Sequence, residues 1–203
     1  MRLYLTRHGQ TSANVARQLD TAVPGHDLTD LGRQQATELA QKMQGQPLTA
    51  IYSSDLVRAQ QTAAPLADDL GLEVNTLGGL REIQAGDWEM TTDWMPFVEA
   101  VGRWGVDPHE RIPGGESGVE FMTRYAEALH QIVSDVHSRD VRAAALAVSH
   151  GAAMRVWCAA ALGMPPNWFT GRALGNTLVV TLEGGPEGDW RLLAWGDEPV
   201  IIR

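Results

Sequence analysis

The chain has 203 residues with 16 Lys and Arg against 25 Asp and Glu, a formal charge of −9, and is 44% hydrophobic and 20% charged. That balance is ordinary for a globular chain and its length suits one domain, here 1–203, while its acidity disfavours nucleic acid or an anionic membrane as the main partner. No apolar run approaches the roughly 20 residues that span a bilayer, and with Cys158 as the lone cysteine no intrachain disulfide forms, so a reducing cytoplasm is the expected location.

The N-terminal "RLYLT" reads as a strand, followed by the polar turn "RHGQTSAN". Gly9 is expected to end the strand by permitting a turn that other residues resist. "LTDLGRQQATELAQKM" then predicts a helix with Thr29 as N-cap and Leu28, Leu31, Ala36, Leu39 and Met43 on one face. A second strand, "LTAIY", leads into "SSDLVRAQQTAAPLADDLG", a helix that Pro65 should kink or split and Gly71 should close. The stretch from 84 to 115 carries Trp88, Trp94, Phe97 and Trp104 among many breakers and reads as a helical excursion, a cap over the strand ends. Packing of a small satellite core explains these tryptophans at least as well as substrate contact. "SGVEFMTRYAEALHQIVSDVH" follows, with a Ser117–Glu120 capping box and a stripe of Met122, Tyr125, Leu129, Ile132 and Val136. A third strand, "AAALAV", precedes "SHGAAMRVWCAAALG", where Cys158 reads as a buried, inert thiol. "TLVVTLE" and "WRLLAW" then flank "GGPEGD" as an antiparallel hairpin.

Strands alternating with helices predict an α/β fold: a three-layer αβα sandwich on a mostly parallel sheet, with one antiparallel edge hairpin. In such sheets ligands bind beyond the carboxyl ends of the strands. The three polar turns at that edge deliver Arg7, His8, Arg58 and His150. A cation in the first turn of a helix, as at Arg58, opposes the macrodipole unless something negative lies nearby. Two guanidinium forks and two imidazoles suit a tetrahedral dianion. Helix N-termini after Ser54 and Gly151 would add N–H donors, and Asn14 an amide at the rim. Zinc needs three or four ligands and would be repelled by the arginines, so no metal is expected. A neutral imidazole is a competent nucleophile toward phosphorus. A proton donor for the leaving oxygen is then required, and Asp55, Glu82, Asp87 and Glu89 all qualify by position.

The ordered set "RHGQT", "SSDLVRAQQTA", "LREIQAGDWE", "GGES" and "VSHG" resembles the histidine phosphatase superfamily, in its phosphoglycerate-mutase-like branch. The resemblance spans residues 3–151. It implies that His8 becomes phosphohistidine, that Arg7, Arg58 and His150 clamp the phosphoryl group, and that Glu82 is general acid and then base. It further implies that Asn14 touches phosphate or substrate and that Gly151 lines the same site. The implied activity is cofactor-independent hydrolysis of a small phosphorylated metabolite. The rivals are mutase-type phosphotransfer and a non-catalytic phosphate-binding protein. Members are often dimers, so a homodimer is also an expectation. Met90 stands where the family often has glycine, and His26 lies in an imperfectly matched segment.

Overall fold

Side chains along the central strands alternate between two apolar clusters, and that alternation explains the layering. The computed structural model describes residues 1–137, 143–164, 174–185 and 188–199. Its strands are β1 (Arg2–Arg7), β2 (Leu48–Ser53), β3 (Val74–Thr76), β4 (Ala144–Ser149), β5 (Val179–Glu183), β6 (Arg191–Trp195) and β7 (Glu198–Pro199). Its α-helices are α1 (Ser12–Ala16), α2 (Asp30–Met43), α3 (Val57–Leu70), α4 (Met95–Arg103), α5 (Gly118–His137) and α6 (Gly151–Ala161). The strand order is β3-β2-β4-β1-β5-β6-β7. β3, β2, β4 and β1 run parallel, and β5 to β7 continue antiparallel, so the edge hairpin gains a further short strand.

Leu3, Leu5, Ala145 and Ala147 point to the side covered by Phe121, Tyr125, Leu129 and Ile132 of α5 and Met154 and Trp157 of α6. Tyr4, Ala144, Leu146 and Val148 point to the opposite side, against Leu39 and Met43 of α2 and Ala59, Ala63 and Leu66 of α3. Burying each large apolar side chain contributes about 1.5–3 kcal/mol. β4 is buried along its whole length, as a central parallel strand should be.

Helix ends follow the sequence closely. Thr29 accepts from Gly32 N at 3.1 Å, Gly71 closes α3 at φ 64°, and Ser117 and Glu120 complete a reciprocal cap on α5. Pro65 does not split α3, which runs on to Leu70 with Leu66 and Ala67 buried beyond it. Leu31 is 47% exposed, because the buried face of α2 begins only at Gly32. Met122 is half-buried, whereas the rest of its stripe is buried.

Gly9 plays a different part from the one its position suggests. It is absent from the positive-φ glycines, and a Cβ there would lie 2.6 Å from the Gly32 carbonyl oxygen. A Cβ on Gly32 would lie 2.1 Å from Gln10 O. The two glycines let the turn after β1 press onto the start of α2, where Thr29 N donates to Gln10 O at 2.9 Å. Met90, by contrast, does hold the left-handed conformation at φ 61°, which accounts for glycine being common there in the resembled family. That twist lets Met90 N donate to Leu19 O at 2.6 Å.

Candidate active site

β1, β2 and β4 end together: Arg7 pairs with Ser149 and Ser53 with Val148. His8, Ser54 and His150 therefore leave the sheet side by side. Short bends after β2 carry the chain into α3, whose first turn presents Arg58 to the same spot. The His8 and His150 rings lie 5.1 Å apart at 55°. Arg7, His8, Asn14, Arg58, Glu82 and Gly151 all line one cavity of about 610 Å³, whereas His150 is fully buried beside His8 and is not part of its lining.

Hydrogen bonding fixes both imidazole tautomers. His8 Nδ1 lies 2.7 Å from Gly9 O, and a carbonyl only accepts, so Nδ1 bears the proton and Nε2 carries the lone pair. His150 Nδ1 lies 3.1 Å from Arg58 Nη2, and a guanidinium only donates, so His150 bears its proton on Nε2. That Nε2 is buried and has no protein partner. Burial, then the nearby Arg58, holds both rings well below the ordinary histidine range, so both are neutral at pH 7. One imidazole thus offers a nucleophilic nitrogen and the other an unoccupied N–H.

The guanidinium groups are anchored from behind. Arg7 Nη1 donates to Leu174 O at 2.8 Å, while its buried Nε has no hydrogen-bond partner. Arg58 donates to the Asp20 carboxylate at 3.1 Å and to the Asp20 carbonyl at 2.8 Å. Asp20 is the anion that the position of Arg58 called for. It lies 38 residues away in sequence, within an irregular loop, so nothing local announced it. Its carboxylate also receives the His26 backbone N–H at 3.0 Å, which places His26 behind the arginine. His26 does not line the cavity.

Of the four candidate acids, three are committed elsewhere. Asp55 is paired in two-point fashion with Arg81, whose hydrogen bonds hold its carboxyl below the usual range. Glu89 receives Thr21 N at 2.7 Å and Ala22 N at 3.1 Å, which ties the Asp20 loop to the acid segment. Asp87 packs against Gly114. Glu82 alone of the four lines the cavity. Its oxygens accept from Ala153 N at 2.7 Å, Ile83 N at 3.0 Å and Ala152 N at 3.1 Å. Two N–H groups at the start of α6, those of Ala152 and Ala153, expected to face an anionic ligand directly, are therefore taken by this carboxylate. The first turn of α6 instead holds Glu82 beside the histidines.

Two further features escaped the sequence. Arg155, one helical turn beyond Gly151, also lines the cavity and interacts electrostatically with Glu82. Its i, i+4 spacing from Gly151 was the available signal. Glu116 of "GGES" is buried and accepts from Arg124 at 2.8 and 2.6 Å and from Gln84 N at 2.9 Å. Arg124 in turn donates to the carbonyls of Gly79, Arg81 and Glu82 at 2.9–3.1 Å. This pair shapes the turn that carries Glu82. Asn14 uses its side-chain oxygen to cap α1, accepting from Thr11 N at 3.1 Å. Trp94 and Trp104 reach the cavity, whereas Trp88 packs against the core without lining it. Cys158 is buried and its thiol is pushed up by burial, as expected of an inert side chain.

Residues 3–198 match the family described as the histidine phosphatase superfamily (branch 1). The chain belongs to the histidine phosphatase superfamily. Among its curated relatives is a glucosyl-3-phosphoglycerate phosphatase of Mycolicibacterium vanbaalenii, 34% identical over 96% of this chain and 93% of that protein. A probable phosphoglycerate mutase of Yersinia pestis is 36% identical over 96% of this chain and 90% of its own length. The PE-PGRS family protein PE_PGRS11 of Mycobacterium tuberculosis is 34% identical over 96% of this chain, which spans 36% of that longer protein. A solved mycobacterial glucosyl-3-phosphoglycerate phosphatase, in complex with VO3, superposes with a TM-score of 0.78 at 32% identity, covering 96% of this chain and 98% of that one. The superfamily fold and its α/β sheet are thus shared along almost the whole chain. Among the described residues no helix is long and apolar enough to cross a membrane.

Proposed function

We propose that this chain hydrolyses phosphomonoesters of small metabolites through a phosphohistidine formed on His8. The observation that carries the reading is the pair of opposed tautomers on rings 5.1 Å apart: a lone pair on His8 Nε2, in the cavity that Arg7 and Arg58 also line, and a free N–H on His150 Nε2. The ester's phosphoryl oxygens are gripped by Arg7, Arg58 and His150, with Asn14 and Gly151 beside them. His8 Nε2 attacks phosphorus, the ester P–O bond breaks in line, and Glu82 gives a proton to the departing oxygen. Glu82 Oε2 accepts one backbone N–H, from Ala152 at 3.1 Å, and Oε1 accepts two, so Oε2 is the oxygen that handles the proton. Water then attacks the phosphohistidine, Glu82 takes its proton, and phosphate leaves. Positioning and charge stabilisation supply most of the acceleration in such transfers.

The relatives whose names denote phosphatases of a phosphorylated glycerate derivative support a small phosphorylated metabolite as substrate. The net charge of −9 supports a small ester over nucleic acid, and the lone cysteine supports a cytoplasmic setting. The chain is read as one domain, with 84–115 forming the cap over the strand ends. The mutase-named relative favours phosphotransfer as the second reading. Incubation with a 32P-labelled monoester, denaturing quench at alkaline pH and gel analysis tests the first. Wild type is expected to carry acid-labile label and to release phosphate, and His8→Ala to do neither. Label retained by His8→Ala overturns the scheme. Isomerisation of 3-phosphoglycerate, stimulated by 2,3-bisphosphoglycerate and outpacing phosphate release, selects the mutase.

A further inference from the structure

Beyond the phosphate cradle the cavity wall changes character. Its outer part is built from Trp94, Phe97, Val98 and Val101 on and before α4, Met122 on α5 and Val156 on α6. Among the described lining residues outside the cradle, Gln18 keeps a side-chain amide without a protein partner, whereas the polar atoms of the tryptophans and of Thr21 are engaged. The Trp94 indole N–H donates to Arg17 O at 2.7 Å and the Trp104 indole N–H to Glu110 O at 2.9 Å, so both rings present only hydrocarbon to the cavity. Thr21 Oγ1 accepts from Ala85 N at 2.9 Å and donates to Glu89. The charged residues among the described lining, Arg7, Asp20, Arg58, Glu82 and Arg155, are those of the cradle and its supports. A cavity of about 610 Å³ is far larger than a phosphoryl group needs and lies in the range, about 300–1,000 Å³, of sites that enclose whole organic ligands.

Resting on the hydrolase reading above, we propose that the natural substrate is a phosphomonoester whose body is apolar and ring-sized, an arylalkyl phosphate in chemical class. The phosphate is held by the cradle and the hydrocarbon by the α4, α5 and α6 side chains. A polyhydroxylated body of equal size fits the space and meets the wrong surface. Among the described residues, the α4, α5 and α6 side chains of this wall offer a hydroxyl no partner, the Gln18 amide is a single exception, and sites discriminate strongly against groups they cannot pair. Val98, 51% exposed, and the half-exposed Trp94 form the rim, so the body enters from the α4 side.

The test compares ring-sized bodies on one kind of leaving group, a primary alcohol: 2-phenylethyl phosphate against glucose 6-phosphate. The expected result is a kcat/KM at least about tenfold higher for the arylalkyl ester, carried mainly by KM. Val98→Asn and Met122→Gln are each expected to narrow that ratio several-fold. Two variants on different helices guard against one that merely folds poorly. Calorimetry with 2-phenylethylphosphonate and 2-hydroxyethylphosphonate, which do not turn over, reads the wall independently of chemistry. The arylalkyl phosphonate should bind at least about tenfold tighter, with a negative heat-capacity change. Equal affinities for the two phosphonates, or glucose 6-phosphate turned over as well as the arylalkyl ester, overturn the apolar body. A protein that prefers the arylalkyl phosphonate yet hydrolyses neither ester counts against the hydrolase reading, and with it the substrate, while the preference of the wall for an apolar body stands.

Discussion

Glu116→Gln tests how the turn carrying Glu82 is held. The Glu116 carboxylate is 5% exposed and accepts two guanidinium N–H bonds, at 2.8 and 2.6 Å, and the Gln84 backbone N–H at 2.9 Å. The amide keeps one acceptor and turns an N–H2 against groups that only donate. Breaking a buried pair by removing one partner typically costs about 3–5 kcal/mol. Arg124 is 22% exposed, so water recovers part of its loss and the lower end applies, about 3 kcal/mol. For a chain of this size, each kcal/mol shifts Tm by roughly 2–4 °C, giving a fall of about 9 °C. Arg124→Met alone strands the carboxylate and should cost as much. The double variant Glu116→Gln with Arg124→Met should cost clearly less than the sum, since no buried charge remains. Thermal and urea unfolding of the four proteins measure this, with kcat recorded alongside. We expect kcat to fall about tenfold in both single variants, because the Arg124 bonds to the carbonyls of residues 79, 81 and 82 loosen. A single-variant Tm shift under 2 °C, or strictly additive losses in the double variant, would refute the reasoning.

Asp20→Asn removes the charge behind Arg58 and also a negative charge near the anion cradle. The expected outcome is a kcat lowered about tenfold with no rise in KM, and steady-state kinetics showing the opposite split would count against Asp20 as the positioning partner of Arg58. Gly32→Ala should destabilise by about 3 kcal/mol, because its Cβ would sit 2.1 Å from Gln10 O. Helix propensity alone predicts stabilisation of up to ~1 kcal/mol, so the sign seen in urea melts decides between the two. Folding holds His8 and His150 neutral by lowering their proton affinity, so below about pH 6.5 the unfolded chain binds protons that the folded chain refuses. Stability should therefore fall as pH drops from 6.5, by up to about 1.4 kcal/mol per ring per pH unit. His8→Asn should make the slope shallower, and a wild-type urea midpoint at pH 5 equal to that at pH 7.5 would contradict this.

The sequence by itself determined five of the seven described strands, the short edge strands β3 and β7 excepted, together with the caps and the chemistry at the strand ends. Short continuous apolar runs at Leu3–Leu5 and Ala144–Val148, the Thr29 and Ser117 caps and the Gly71 stop are local signals, and local physics sets them. His8 and His150 were legible because each sits where a strand stops and a polar group has no core to enter, and Arg58 because a cation in the first turn of a helix opposes the macrodipole. Only the tertiary structure decided what those groups face. Asp20 behind Arg58, Glu116 beneath the Glu82 turn, and the α6 N–H groups given to Glu82 rather than left open join segments far apart in the chain. Such pairings depend on where loops come to rest, and hydrogen-bond partners across that distance leave no periodicity. Gly9 makes the same point: its position beside a turn suggested conformational need, whereas the packed α2 backbone 2.6 Å from its missing Cβ is what requires a glycine there.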